Sequence, residues 1–402
     1  MKKIRYLFLL SIALLITAWG LSAQPSYSPE LQPYLEFLKS QKMSAKEYIL
    51  KLFENHDIVI LCERAHPDVT QYELFLSIIE DSSFIKSGGN IFTEIGVSTL
   101  NPEVNSFLHT RGLSADSVDR AILNFHRNCS FYPLWEKQNF SYFLHRLYQL
   151  NQRLPSENKI NLYPSDMPFD WKEMDEARLK LFWDHLDTRD SIIASQIIRK
   201  FDQIKKSSAK RKKALVIMNF RHAFNRDIVN LAGIKRSNVG RFLFERYDGR
   251  VANVYLNFVA LTAVRSDNDI SYSAIQDGKW DAAFKALKKE DAGFDFKGSP
   301  FGNDRFDLGP IKEQLKFEDV FTGFAYYLPL EKHKYVFGIP GIIDSSFAHE
   351  LLRRYALFNT LPGQSSGYSP DIEALKKDFD VQREFQMEGL DSLNAQIDKW
   401  LH

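Results

Sequence analysis

The sequence predicts an α/β fold with a mostly parallel central sheet flanked by helices on both faces. Three observations lead there. Short, nearly continuous apolar runs of strand length recur along the chain, helical periodicity fills most intervals between them, and the first four clear runs each close on an ionisable residue. Apolar runs without polar alternation suit strands covered on both faces, the condition of a parallel sheet built from strand–helix–strand units. With 402 residues, 44% hydrophobic and 14% aromatic, the chain is long enough to bury such a core.

The first residues read as an address rather than as part of the fold. Lys2, Lys3 and Arg5 precede the apolar stretch Tyr6 to Leu15, and Leu21-Ser22-Ala23 offers small residues before Gln24. This is the pattern of a secretory signal peptide over 1–23, cleaved after Ala23, and it implies a periplasmic or secreted protein. An uncleaved anchor would need a longer apolar run. No other membrane-length apolar run follows, so stable membrane insertion after cleavage is not expected. Residues 24–402 then form a single α/β domain, with a helical insertion around 168–212 and a charged C-terminal helix over 370–402.

Within that domain, Ser44-Ala45-Lys46-Glu47 is a capping-box pattern, and Ile49, Leu50 and Phe53 continue it at helical spacing. Ile58-Val59-Ile60-Leu61 is the first buried strand. Asp68, with Gln71 three residues on, opens a helix whose Val69, Tyr72, Phe75, Leu76 and Ile79 share one face. Further strands are expected at Asn90 to Thr93, Lys159 to Tyr163, Ala214 to Met218, Val251 to Val259, Phe321 to Leu328 and Lys334 to Ile339. Trp171 to Lys206 is long and helical, as one or two helices. Asp267 to Asp307, richer in Gly, Asp and Asn, reads as an irregular connection with one short helix near Trp280 to Lys288. Pro370 and Asp371 begin the C-terminal helix, which runs toward Trp400.

Charge narrows the function classes. Lys and Arg number 52 against 51 Asp and Glu, and loss of Lys2, Lys3 and Arg5 would leave 49 against 51. A balance this even supplies no broad attraction for a polyanion, so no nucleic-acid partner is expected. Two cysteines do not make a disulfide framework. Cys62 and Cys129 could bridge, and Cys62 could equally be a small buried hydrophobe.

In open α/β sheets, ligands bind at the carboxyl ends of strands, where loops diverge and helix N-termini point inward. The residues closing the first four strands are Glu63 and His66, then Glu94, Asp166 and His222. Two histidines and three carboxylates converging on one edge would supply acid and base groups whose neighbours push their pKa values apart. Water activation or metal binding could follow from the same set.

These residues also carry a resemblance. Leu61-Cys62-Glu63-Arg64-Ala65-His66 and the helix after it resemble the glycine–glutamate–two residues–histidine signature that opens the erythromycin esterase-like family, whose next strand ends in a glutamate, as here at Glu94. Tyr163-Pro164-Ser165-Asp166-Met167 resembles its strand ending in Asp-Met. Arg189-Asp190-Ser191 with Ala194 resembles its Arg-Asp pair at the start of a long helix, and Lys213 to His222 its strand ending in histidine. Gly240-Arg241-Phe242-Leu243 and Tyr255 to Phe258 continue the match, which spans about 57–330. Three positions depart from the pattern. Cys62 stands in place of glycine, Pro67 follows His66, and Asn219-Phe220-Arg221-His222 keeps only the later of two histidines. Cys62 implies a differently shaped or tighter pocket, because glycine there would let a ligand approach the backbone.

The resemblance implies hydrolysis of a small-molecule ester or lactone by activated water, with no required cofactor. His66 would be the general base, Glu63 and Glu94 would orient and polarise it, and His222 would position water or stabilise the oxyanion. Arg64, Asp166, Arg189 and Asp190 would supply supporting charge pairs. Haem-uptake and Tiki-type proteins share the superfamily, which keeps two alternatives open. One is a metal-dependent hydrolase using Glu63, His66, Glu94 and His222 as ligands, and the other a non-catalytic binder of a haem-like ligand.

Other motifs carry less. Gly363-Gln364-Ser365-Ser366-Gly367 has nucleophile-elbow spacing without a strand before it, and only His402 follows. His349-Glu350-Leu351-Leu352-Arg353 has Arg353 where a zinc-binding helix needs its second histidine. Lys205 to Lys213 is a basic run ending a helix. His126, His145 and His185 fall in helical stretches and read as surface or core residues. Trp135, Trp171, Trp183 and Phe131 could line an apolar pocket.

Overall fold

The computed structural model describes residues 27–208, 210–266, 269–309, 311–364 and 371–402. The signal segment expected over 1–23 lies outside the described residues, as do Pro370 and residues 365–367 of the elbow-like loop. No helix among the described residues is long and apolar enough to cross a membrane.

Seven strands form the central sheet: β1 (Ile58–Glu63), β2 (Asn90–Val97), β3 (Asn161–Asp166), β4 (Ala214–Asn219), β5 (Val251–Leu256), β6 (Asp291–Asp295) and β7 (Gly323–Tyr327). Their order is β6-β7-β5-β1-β4-β2-β3, and every adjacent pair is parallel except β6 with β7. The α/β class expected from the apolar runs is the architecture observed. β1 sits in the middle, with Leu61 opposite both Ile217 of β4 and Val254 of β5.

Strand alternation explains the two-sided burial. Ile58, Ile60 and Cys62 of β1 enter one core with Ala214, Val216 and Met218, against the helix Arg189–Lys206. Val59 and Leu61 enter the opposite core with Leu215 and Ile217, against the helices Ala45–Asn55, Val69–Ile79 and Gln138–Arg153. Successive side chains of a strand point to opposite faces, so a run with no polar alternation is apolar because both faces are covered. The helix starts also follow their residues. Ser44 and Glu47 close a full capping box, and the Asp68 side chain accepts the Gln71 N–H.

Four expectations need correction. The run Val251 to Val259 is not one strand. β5 ends at Leu256, and Val259–Ser266 turns away to pair with Asp269–Ala274. Asn257 makes the break, because its side chain accepts the Tyr327 N–H and donates to the Leu328 carbonyl, contacts a continued ladder would leave no room for. The connection over 267–307 is not irregular throughout, since it supplies β6 as an edge strand. Gly293 gave that strand a turn-like sequence. A Cβ there would lie 2.4 Å from Tyr48 Cβ, so a close helix–strand approach and not a turn requires the glycine. Tyr335–Phe337, within the strand expected at Lys334 to Ile339, pairs with Arg383–Phe385 outside the main sheet. That same pairing divides the expected C-terminal helix into Ile372–Phe379 and Leu390–Asp398, the second entered through Gly389 at φ 72°.

The topology places the site. From β1 the chain moves across β4 to β2 and β3, whereas from β4 it moves back across β1 to β5. The connections leaving β1 and β4 therefore diverge, and a crevice opens at the carboxyl ends of those two strands.

Candidate active site

Glu63 is the last residue of β1 and is 1% exposed. Its Oε2 lies 2.6 Å from His66 Nδ1, and its Oε1 accepts the Tyr72 hydroxyl at 2.8 Å. A carboxylate on Nδ1 makes that nitrogen the N–H donor. His66 Nε2 then faces Glu94 Oε1 across 4.0 Å.

Glu94 occupies an irregularity that sequence periodicity does not show. β2 pairs with β4 only as far as Thr93, and its register against β3 shifts between Thr93 and Val97. Bulges re-aim side chains beside ligand crevices, and here the Glu94 carboxylate reaches Asn219, the last residue of β4. Its Oε2 accepts the Asn219 N–H at 2.9 Å, while its Oε1 accepts Arg189 Nη2 at 3.0 Å and lies 3.3 Å from His222 Nε2. Asp166, which ends β3, grips the same arginine through both oxygens, at 2.8 Å from Nε and 2.9 Å from Nη2. Asp190, in the first turn of the helix Arg189–Lys206, lies 2.8 Å from His222 Nδ1. An acid suits that position, since helix N-termini favour negative charge.

Burial opposes a charge on His222, but Glu94 on one ring nitrogen and Asp190 on the other outweigh it and raise its pKa to about 9. His222 is therefore an imidazolium at neutral pH. Burial likewise opposes ionised Glu94, yet His222 and Arg189 hold its pKa well below the usual carboxylate range. The cluster thus contains one histidine clamped between two carboxylates at hydrogen-bond distance and another, His66, held through Nδ1 alone.

Glu63, His66, Glu94, Asp166, Arg189, Asp190 and His222 are all brought together. Arg64 is not. Its guanidinium is buried on Asp68 at 3.0 Å, Asn257 at 3.0 Å and the Tyr327 carbonyl at 2.5 Å. Only its backbone oxygen reaches toward the cluster, accepting from the Asn219 side chain at 2.8 Å. The expected supporting pair of Arg64 therefore braces the loop after β1 instead. Tyr72 and Asn219 are partners that the sequence did not point to. Tyr72 was hidden among the apolar residues of its helix face, and the backbone N–H of Asn219 leaves no signal in sequence.

The four-residue metal set narrows to three: one donor atom each from Glu63, His66 and Glu94 lies within 4.8 Å of the others. His222 is outside it, with both ring nitrogens facing carboxylates. Cys62 and Cys129 are buried free thiols, so the bridging alternative is closed. His126 donates its Nδ1–H to the Trp135 carbonyl at 3.0 Å, and burial lowers its pKa to about 4, as a core histidine. Glu350 of the zinc-helix lookalike pairs with Arg353 and Arg354.

The cluster opens into a pocket of about 560 Å³ lined by His66, Glu94, Asp166, Arg189 and His222, with Phe131, Tyr132, Trp135, Tyr355 and Phe358 around them. Of the four aromatics expected at a pocket, Phe131 and Trp135 line it, while Trp171 and Trp183 belong to the hydrophobic cluster that backs Phe131.

Fold and site together define an α/β protein with an acid–base cluster at the carboxyl edge of its parallel sheet. No family model matches the sequence, and no curated protein matches it. Solved structures similar to this chain include a Bacillus cereus protein (TM-score 0.47, 12% identity, covering 75% of this chain and 98% of that one). They also include a variant of the erythromycin esterase EreC in its open conformation (0.47, 13%, 75% and 96%). ChaN of Campylobacter jejuni, described with cofacially bound heme, is a further one (0.34, 12%, 55% and 89%).

Proposed function

We propose that the protein is a hydrolase of an ester or related acyl bond, using water activated by His66. The supporting observation is the approach of two histidines to one carboxylate oxygen. His66 presents Nε2 at 4.0 Å from Glu94 Oε1, and His222 lies 3.3 Å from the same oxygen. A gap of 4.0 Å between polar atoms is one that a bridging water spans.

In this reading His66 Nε2 takes a proton from water as the water oxygen bonds to the carbonyl carbon, and Glu63 stabilises the imidazolium that forms. His222 and Arg189 are the cations beside the developing oxyanion. Collapse of the tetrahedral species breaks the bond to the alcohol oxygen, which receives the proton held by His66. The products are a carboxylic acid and an alcohol.

The reading is metal-free for a reason of charge. Glu94, a member of the candidate ligand set, already carries Arg189 at 3.0 Å and His222 at 3.3 Å on Oε1. Export through the N-terminal segment belongs to the same proposal, and the mature protein should begin at Gln24.

The test is a screen of short- and long-chain esters, lactones and macrolides against wild type, His66→Ala and His222→Ala, repeated after chelation. His66→Ala should lower turnover roughly 10²–10⁴-fold, the range of a lost general base, with circular dichroism unchanged. Full activity in that variant refutes the assignment, and loss of activity on chelation refutes the metal-free reading. Saturable ligand uptake without turnover would replace both with a binding protein.

A further inference from the structure

Aromatic rings stand at both ends of the acid–base cluster and line the pocket into which it opens. At the His66 end, Trp135 packs edge-on against the imidazole, with centroids 5.1 Å apart. At the Arg189 end, the guanidinium carbon lies 5.8 Å from the Phe131 ring, Phe131 is 4.8 Å from Tyr132, and Tyr132 is 5.7 Å from Phe358. All four rings line the same pocket. Tyr132 is 45% exposed although it stands among buried rings.

The charged lining is, by contrast, largely satisfied within the protein. Arg189 is held by Asp166 and Glu94, His222 by Glu94 and Asp190, and Lys137 by Glu136 at 2.8 Å. Arg221 is exposed at the rim, with its Nε on Asn219 Oδ1 at 3.1 Å. Recognition is thereby left mainly to π faces and edges next to the reacting atoms. Such surfaces distinguish a planar ring from an aliphatic group of the same size, because offset and edge-on ring contacts add attraction beyond area burial.

We infer that the substrate carries a planar aromatic group beside the scissile bond, and that Tyr132 determines this preference. The inference rests on the hydrolase reading above. Tyr132 is a substrate-contacting specificity residue, a pocket-lining ring packed directly on Phe131 and partly open to solvent.

The experiment compares benzyl butyrate with cyclohexylmethyl butyrate, esters matched in acyl group, size and alcohol type. Wild type should show a KM about tenfold lower for the benzyl ester, the size of one favourable ring contact. Tyr132→Leu should collapse the ratio of the two KM values toward one, and Tyr132→Phe should keep it. Equal KM values in wild type, or a ratio that survives Tyr132→Leu, overturn the inference while hydrolysis itself stands. If neither ester is cleaved, N-benzylbutyramide is titrated by tryptophan fluorescence. Quenching that Tyr132→Leu weakens keeps the aromatic preference, and the hydrolase reading is then decided separately by the ester, lactone and macrolide screen. Absence of quenching overturns the inference.

Discussion

Raising the pH from 6 to 10 should cost this protein stability through His222. The residue is held between Glu94 Oε1 at 3.3 Å and Asp190 at 2.8 Å. Burial disfavours its charge, and the two carboxylates more than compensate, so that its folded pKa is about 9. In an unfolded chain the value is about 6.5. Because the folded value is the higher one, the stabilisation is complete below about pH 6.5 and declines as pH rises toward 9. Two and a half pKa units at about 1.4 kcal/mol each give roughly 3 kcal/mol, a sizeable part of a typical 5–15 kcal/mol total. Urea unfolding of wild type and His222→Gln at pH 6 and pH 10 measures it. Groups elsewhere that titrate in this range are common to both proteins and cancel in the difference. Wild type should lose about 3 kcal/mol more than the variant. An equal loss in both, or an NMR titration of His222 centred near 6.5, refutes the reasoning.

Three further outcomes follow from the same contacts. Glu94→Gln should destabilise by about 3–5 kcal/mol in a thermal or chemical melt, because Arg189 and His222 lose the carboxylate they share. Gly323→Ala should cost about 1–3 kcal/mol, since its Cβ would fall 1.8 Å from the Tyr48 hydroxyl oxygen, which Asp295 holds at 2.7 Å. A thiol reagent should label neither Cys62 nor Cys129 in the native protein and both after denaturation, because both are buried and burial raises both thiol pKa values.

Much of the fold was legible where one segment carries its own signal. The strands β1 and β4, the capping box at Ser44 and the helix opened by Asp68 follow from local patterns, and the order of ionisable strand ends pointed to the cluster. The signal failed where the deciding contact is distant. Gly293 in β6 looks like a turn residue until Tyr48 packs against it, and Arg64 looks like a site residue until Asp68 and Asn257 enclose it.

The chain therefore announces its α/β class and most of its reactive residues through periodicity and residue type, which depend on neighbours a few positions away. Their chemistry was settled only by folding. Glu94 is 128 residues from His222 in sequence and 3.3 Å from it in space. The protonation of a histidine depends on the charges and solvent within a few ångströms, and that distance exists only once the sheet has brought β2 and β4 side by side.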